Sequence, residues 1–139
     1  MSEEWTVAII KPDAVESGWI GDILKEASRA ELYPNYMLLS EVSSEVWAEF
    51  YAEHKGKTFY DGLISHMSSG PCVLLALEGR DAIRTWRQLM GATNPLMAVP
   101  GSIRRKWGVG GPANAVHGSD SRESAMKEAR ILGIPVEED

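Results

Sequence analysis

Apolar positions along the chain switch between a strand-like and a helix-like period, and each switch marks an element boundary. A β-rich apolar run from Trp5 to Ile10 stops at Lys11-Pro12-Asp13, where proline cannot extend a ladder. Ile20, Ile23, Leu24 and Ala27 then recur at helical spacing, with Asp22, Lys25, Glu26 and Ser28 between them. Tyr36 to Val42 predicts a second strand. Ser43 or Ser44 caps a helix carrying Val46, Trp47, Phe50 and Tyr51, and Leu63, Ile64 and Met67 mark another short helix ending at Gly70. Cys72 to Leu77 reads as a fully buried third strand. Asp81 opens a helix with Ile83, Trp86 and Met90 inward, closed by Gly91. The stretch from Ala92 to Ala113 is irregular and rich in glycine and proline, a length of loop that is more often functional than idle. Asn114 to His117 makes a short last strand, followed by a helix from near Ser121 and an acidic tail, Glu137–Asp139.

Strands alternating with helices, with a helical pair between the second and third strands, suit a four-stranded α+β sandwich with helices on one sheet face. Periodicity leaves the strand order open. The turn after the first strand reads Lys11-Pro12-Asp13-Ala14-Val15, so neither a Rossmann fingerprint nor a Walker A loop is present.

The candidate chemistry sits between the last strand and the last helix. There Gly118 follows His117, so that the backbone can turn sharply and a large group can approach the imidazole. Asp120, with Glu123 three residues on, reads as a helix cap and its reciprocal partner. The imidazole is thereby placed beside free backbone N–H groups and the positive end of a helix, which favour an anion. Ala125, Ala129 and Leu132 form an apolar stripe with Glu128 at its margin. A carboxylate half-turned toward a core needs a partner, and His117 is the nearest titratable one in sequence. Accepting from one ring nitrogen, it would fix the tautomer and leave the other as nucleophile. Alone, the same residues are better described as a loop histidine beside capping acids, because capping signals are common.

Composition narrows the classes. At 139 residues the chain is long enough for one domain, residues 1–139, to bury a core without metal or disulfide staples. The single cysteine, Cys72, lies in an apolar run and reads as a core residue. The acidic start Met1-Ser2-Glu3-Glu4 has no secretory pattern and no stretch approaches membrane-spanning length, so a cytoplasmic protein is expected. A net charge of −6 argues against a general nucleic-acid binder, although Arg104, Arg105 and Lys106 concentrate positive charge locally, enough for a small phosphorylated ligand.

Lys11-Pro12-Asp13, Thr93-Asn94-Pro95-Leu96, Pro100-Gly101-Ser102-Ile103-Arg104 and Asn114-x-x-His117-Gly118-Ser119-Asp120-Ser121, in that order, resemble the nucleoside diphosphate kinase family from about Trp5 to Glu128. The resemblance implies a ferredoxin-like βαββαβ fold with a four-stranded antiparallel sheet and an inserted helical hairpin between strands 2 and 3, assembled as a homo-oligomer, commonly a hexamer or tetramer. It also implies ping-pong transfer of the γ-phosphate from a nucleoside triphosphate, mainly ATP, to a nucleoside diphosphate through a phosphohistidine. Magnesium would be held mainly by nucleotide phosphates and water. By position, His117 would be the nucleophile, Glu128 its orienting carboxylate and Ser119 part of the supporting network. Lys11, Tyr51 and Asn114 would contact the transferring phosphoryl group or the sugar end of the substrate. Arg87, Thr93 and Arg104 would hold the distal phosphates, and Phe59 would stack on the base.

Taken singly, Tyr51 and Phe59 read as core aromatics, Arg87 as a solvated helix residue and Lys11 as a surface lysine; their occurrence together favours the site. Arg105 and Lys106 stay outside the candidate site, and His54 and His66, with no comparable carboxylate context, read as surface residues. The chain departs from the family pattern at Gly111, where an apolar residue usually packs on the base, at Pro112-Ala113 in place of Gly-Arg, and at Ser17 in place of a frequent arginine. Ile131-Leu132-Gly133 replaces a common Leu-Trp-Phe, and Pro34 interrupts the start of the second strand. Two other classes fit parts of the pattern: a phosphohistidine-bearing regulator, which needs only His117, and a nucleotide-binding module without catalysis.

Overall fold

The computed structural model describes residues 3–136, so the acidic tail and the first two residues lie outside the described residues. Four strands form one antiparallel sheet: β1 (Glu4–Ile10), β2 (Tyr33–Ser40), β3 (Cys72–Gly79) and β4 (Val116–Gly118), in the order β2-β3-β1-β4. Helices α1 (Pro12–Glu16) and α2 (Ile20–Arg29) follow β1. The pair α3 (Ser44–Phe50) and α4 (Tyr60–Met67) lies between β2 and β3. After β3 come α5 (Ala82–Met90), α6 (Ile103–Trp107) and, beyond β4, α7 (Arg122–Leu132). This is the α+β, ferredoxin-like arrangement with a helical insertion between the second and third strands.

Helices cover both faces of the sheet, not one. Ala8, Ile10, Leu75 and Leu77 pack with Ile23 of α2 and Trp86 and Met90 of α5, whereas Val7, Ile9, Leu74 and Ala76 pack with Trp47 of α3, Met67 of α4 and Ala129 of α7. Alternate residues of each central strand thus enter opposite cores, which is why the apolar runs in β1 and β3 are continuous. Pro34 is accommodated because β2 is an edge strand, and the register shifts between Pro34 and Tyr36. Tyr33, Met37, Leu38 and Leu39 are exposed along that edge.

Local capping differs from the sequence expectation in three places. Ser121, not Asp120, caps α7: its hydroxyl accepts from the Ser124 N–H at 3.0 Å, while the Asp120 carboxylate takes the Ser124 hydroxyl, which holds its pKa below the ordinary carboxylate value. Asp81 precedes α5 in a left-handed conformation without a side-chain cap bond. The free N–H of Ile83 instead donates to the Glu4 carboxylate of β1 at 2.9 Å, and Ala82 takes the inward place expected of Ile83. The segment from Ala92 to Ala113 is more ordered than its composition suggested. Asn94 and Ser102 accept N-terminal amides of a 3-10 turn (Pro95–Met97) and of α6.

Candidate active site

His117 lies in β4, paired with Ile9 of β1, and its carbonyl accepts from the Trp86 indole N–H at 3.0 Å. Gly118 owes its place to this contact and not to a turn, for it is a strand residue, and a Cβ there would meet Trp86 Cδ1 at 2.5 Å and Met90 Cε at 2.9 Å. Gly118→Ala is expected to lower stability by about 1–3 kcal/mol through forced displacement of Trp86, read as a drop in denaturant midpoint at unchanged slope.

The imidazole is oriented from one side. Its Nε2 lies 2.9 Å from Glu128 Oε1, and the same carboxylate oxygen accepts the hydroxyl of fully buried Ser119 at 2.9 Å. Ser119 is tied to β1 by accepting the Val7 N–H at 3.3 Å. Because the carboxylate can only accept, Nε2 carries the hydrogen, and Nδ1 keeps the lone pair. Edges of Phe50 and Tyr51 pack around the ring, with centroids at 5.1 and 6.5 Å.

His117 opens onto a cavity of about 530 Å³ whose wall includes Lys11, Tyr51, Phe59, Arg87, Thr93, Arg104 and Asn114. The structure therefore brings together eight of the ten predicted residues on one wall, with Glu128 and Ser119 behind the histidine. Lys11 Nζ donates to Asn114 Oδ1 at 2.7 Å and to the Pro112 carbonyl at 3.4 Å, and Asn114 Nδ2 reaches the Thr93 carbonyl at 3.3 Å. Arg104 is 8% exposed. Its Nη1 and Nη2 are held by the carbonyls of Gly91 (3.1 Å) and Val116 (2.9 Å).

Two polar atoms on this wall have no partner among the described residues: Arg104 Nε and the Tyr51 hydroxyl, both buried. Burial costs such groups dearly unless something bonds them. Burial and the neighbouring Arg104 pull the Lys11 ammonium down to about 8, and burial with Arg87 nearby brings Arg104 to about 10. Burial, then the Glu128 charge, pushes the Tyr51 phenol well above its usual range, so it stays a neutral donor. Clustered cations that repel one another, plus unpaired buried donors, suit a multiply charged anion.

Two histidines depart from expectation. His54 lines the cavity, with its ring stacked near Tyr51 at 6.2 Å and tilted against Phe59 at 5.3 Å. The spacing Tyr51-x-x-His54 could have signalled a shared face. His66 is not a solvated surface residue but bonds Asp13 Oδ1 through Nε2 at 2.9 Å. Arg105 donates to the Leu96 carbonyl and Lys106 pairs with Glu26 at 3.2 Å, so of the basic triplet only Arg104 reaches the cavity. Gly111 and Pro112 also line it, which places two of the sequence departures on the ligand side.

A sheet-borne histidine held by a carboxylate and facing buried cations across a ligand-sized cavity defines a phosphate-handling protein. Comparison with known proteins identifies the kind. A family model for nucleoside diphosphate kinase matches residues 4–133, and this chain belongs to that family. It is 43% identical over 129 residues to the nucleoside diphosphate kinase of Desulforamulus reducens, spanning 93% of this chain and 87% of that protein. The Listeria monocytogenes serotype 4b enzyme is 43% identical over 134 residues, covering 96% and 91% of the two chains. Among solved structures, the Halobacterium salinarum nucleoside diphosphate kinase in complex with CDP superposes with a TM-score of 0.92 at 37% identity, covering 99% of this chain and 93% of that one. The Aquifex aeolicus enzyme gives 0.89 at 38% identity, with coverage of 93% and 94%. These relatives are enzymes that transfer phosphate between nucleotides.

Proposed function

We propose that this chain moves the γ-phosphate of a nucleoside triphosphate, mainly ATP, to a nucleoside diphosphate in two half-reactions through a phosphohistidine at His117. The observation that carries this reading is the His117 ring, bonded through Nε2 to Glu128 and opening onto the Lys11, Arg87 and Arg104 wall. In the first half-reaction Nδ1 attacks the γ-phosphorus. The bond from that phosphorus to the β–γ bridging oxygen breaks, and the electron pair leaves on the diphosphate. Nε2 keeps its hydrogen, shared with Glu128, which offsets the charge growing on the ring. In the second half-reaction a terminal oxygen of the incoming diphosphate attacks phosphorus, and the P–N pair returns to Nδ1. Glu128→Ala should therefore lower kcat by roughly 10²- to 10⁴-fold with little change in KM, measured by steady-state exchange.

Positioning and charge supply the rest of the catalysis. Lys11, Tyr51 and Asn114 hold the transferring group or the sugar end. The arginine forks of Arg87 and Arg104, with Thr93, hold the distal phosphates. Phe59, 52% exposed at the cavity mouth, offers a face on which any base can stack, so base selectivity is broad. The CDP-bound relative supports a nucleoside diphosphate as the ligand.

Among the described residues the cavity wall carries no carboxylate and no group of three metal-binding side chains occurs. Within this proposal magnesium would be held by the nucleotide's own phosphates and water, neutralising part of their charge. The exposed apolar residues of the unpaired β2 edge support a homo-oligomer, a hexamer or tetramer, which native mass measurement would count. A cytoplasmic location is part of the same proposal; among the described residues no helix is long and apolar enough to cross a membrane.

Incubation with γ-labelled ATP, followed by added GDP, tests the reading. Acid-labile, base-stable label that GDP discharges as GTP supports the kinase. Label that no diphosphate removes would favour a regulator, and the absence of label would favour simple binding.

A further inference from the structure

The His66–Asp13 pair lies outside the cavity wall, yet it leads to the backbone that sets the site. Ala115 has φ 74, a left-handed conformation unusual for a residue with a Cβ. It centres a tight turn in which the Val116 N–H donates to the Asn114 carbonyl at 2.9 Å. That turn joins Asn114, which holds Lys11 Nζ, to Val116, whose carbonyl holds Arg104, and His117 follows directly.

Both polar groups of Ala115 are engaged by the turn after β1. Its carbonyl accepts the Lys11 N–H at 2.8 Å, and its N–H donates to Asp13 Oδ2 at 3.0 Å. Asp13 has a second oxygen, and His66, on the last turn of α4, donates Nε2–H to it at 2.9 Å. One backbone N–H alone leaves the carboxylate free to rotate about its last torsion. A second anchor from another element fixes it.

We propose that His66 is a positioning residue for phosphoryl transfer, acting through Asp13 to hold the strained Ala115 turn that sets Asn114, Lys11 and Arg104 against His117. The inference rests on the two-step kinase reading above. It requires no direct contact between His66 and nucleotide, and so predicts a loss in the chemical step with little change in binding.

The experiment compares full-length wild-type protein with His66→Phe, His66→Gln, Asp13→Ala and the Asp13→Ala/His66→Phe double variant. Thermal midpoints, single-turnover labelling by ATP, and kcat and KM for ADP are read for each. If wild-type protein takes no label on His117, the kinase reading itself fails; the inference is judged where wild-type labels. His66→Phe should label about tenfold more slowly, within the roughly 100-fold that a 1 Å misplacement can cost, with KM changed less than about twofold. His66→Gln, whose amide nitrogen can replace Nε2–H, should recover most of the rate. In the Asp13→Ala background, His66→Phe should add nothing. Should the phenylalanine variant unfold, His66→Asn, too short to reach Asp13, takes its place with the same expectation. Folded variants that label at the wild-type rate, a glutamine variant as slow as phenylalanine, or additive losses in the double variant would each overturn the proposal.

Discussion

His117→Gln should lose nucleotide phosphate exchange by roughly 10⁴-fold or more while still binding ADP, because it removes the imidazole lone pair proposed to attack and leaves the cationic wall in place. Glutamine can still donate toward Glu128, and the backbone at this position is held independently by the β1 ladder and the Trp86 indole. The fold should therefore persist, with a thermal midpoint close to wild type. Calorimetric titration with ADP separates the outcomes. Unchanged affinity with no turnover is the expected result, whereas retained exchange would mean that another group carries the phosphoryl.

The second large effect concerns Lys11 and has opposite signs for binding and stability. Burial, with Arg104 alongside, lowers its folded pKa from 10.5 to about 8. Between those values the unfolded chain holds a proton that the native chain does not, so the lysine's contribution to stability rises with pH across the window. Below about pH 8 the buried charge is a constant penalty on the order of 3 kcal/mol. Nucleotide binding responds the other way. Phosphates need the ammonium form, so kcat/KM should fall as pH climbs through about 8. The limb in kcat should lie at higher pH, because bound phosphate favours the charged lysine. Lys11→Met should cost roughly 10²- to 10³-fold in kcat, remove the kcat/KM limb near pH 8 and flatten the corresponding rise in stability. Parallel pH profiles of exchange and of urea midpoint test this, and a wild-type kcat/KM that stays flat from pH 7 to 10 would contradict it.

Sheet and helix boundaries were legible wherever caps and periodicity were local. The β1 run, the α2 stripe and the Gly91 terminus of α5 needed only neighbours within a few residues. The covering of both faces is also written in the chain, in the unbroken apolar runs of β1 and β3, whereas the alternation of helices with strands points to a single covered face. Pro34 obscured the start of β2 because only the strand's place at the edge makes a proline acceptable there. Helix α6 hid in a segment whose glycines and prolines outweighed the Ser102 cap.

The same distance rule separates the histidines. His117 and Glu128 are eleven residues apart, on β4 and on the helix that follows it after a short turn, so their pairing needs only those two consecutive elements. His66 and Asp13 are 53 apart on elements whose approach depends on the whole sheet, so no local pattern announces their bond. Charge alone does not distinguish Arg104 from Arg105 and Lys106, which look alike in sequence; only the family resemblance does. Its convergence with Lys11 and Arg87 exists only after β1, α5 and α6 are packed.

The position of phosphate on the trapped intermediate tests the central claim most directly. Since Nε2 faces Glu128 and Nδ1 holds the lone pair, protein labelled with ATP, digested under alkaline conditions and resolved against the two phosphohistidine isomers should carry phosphate on Nδ1 of His117. Phosphate on Nε2, or on any residue other than His117, would contradict the account.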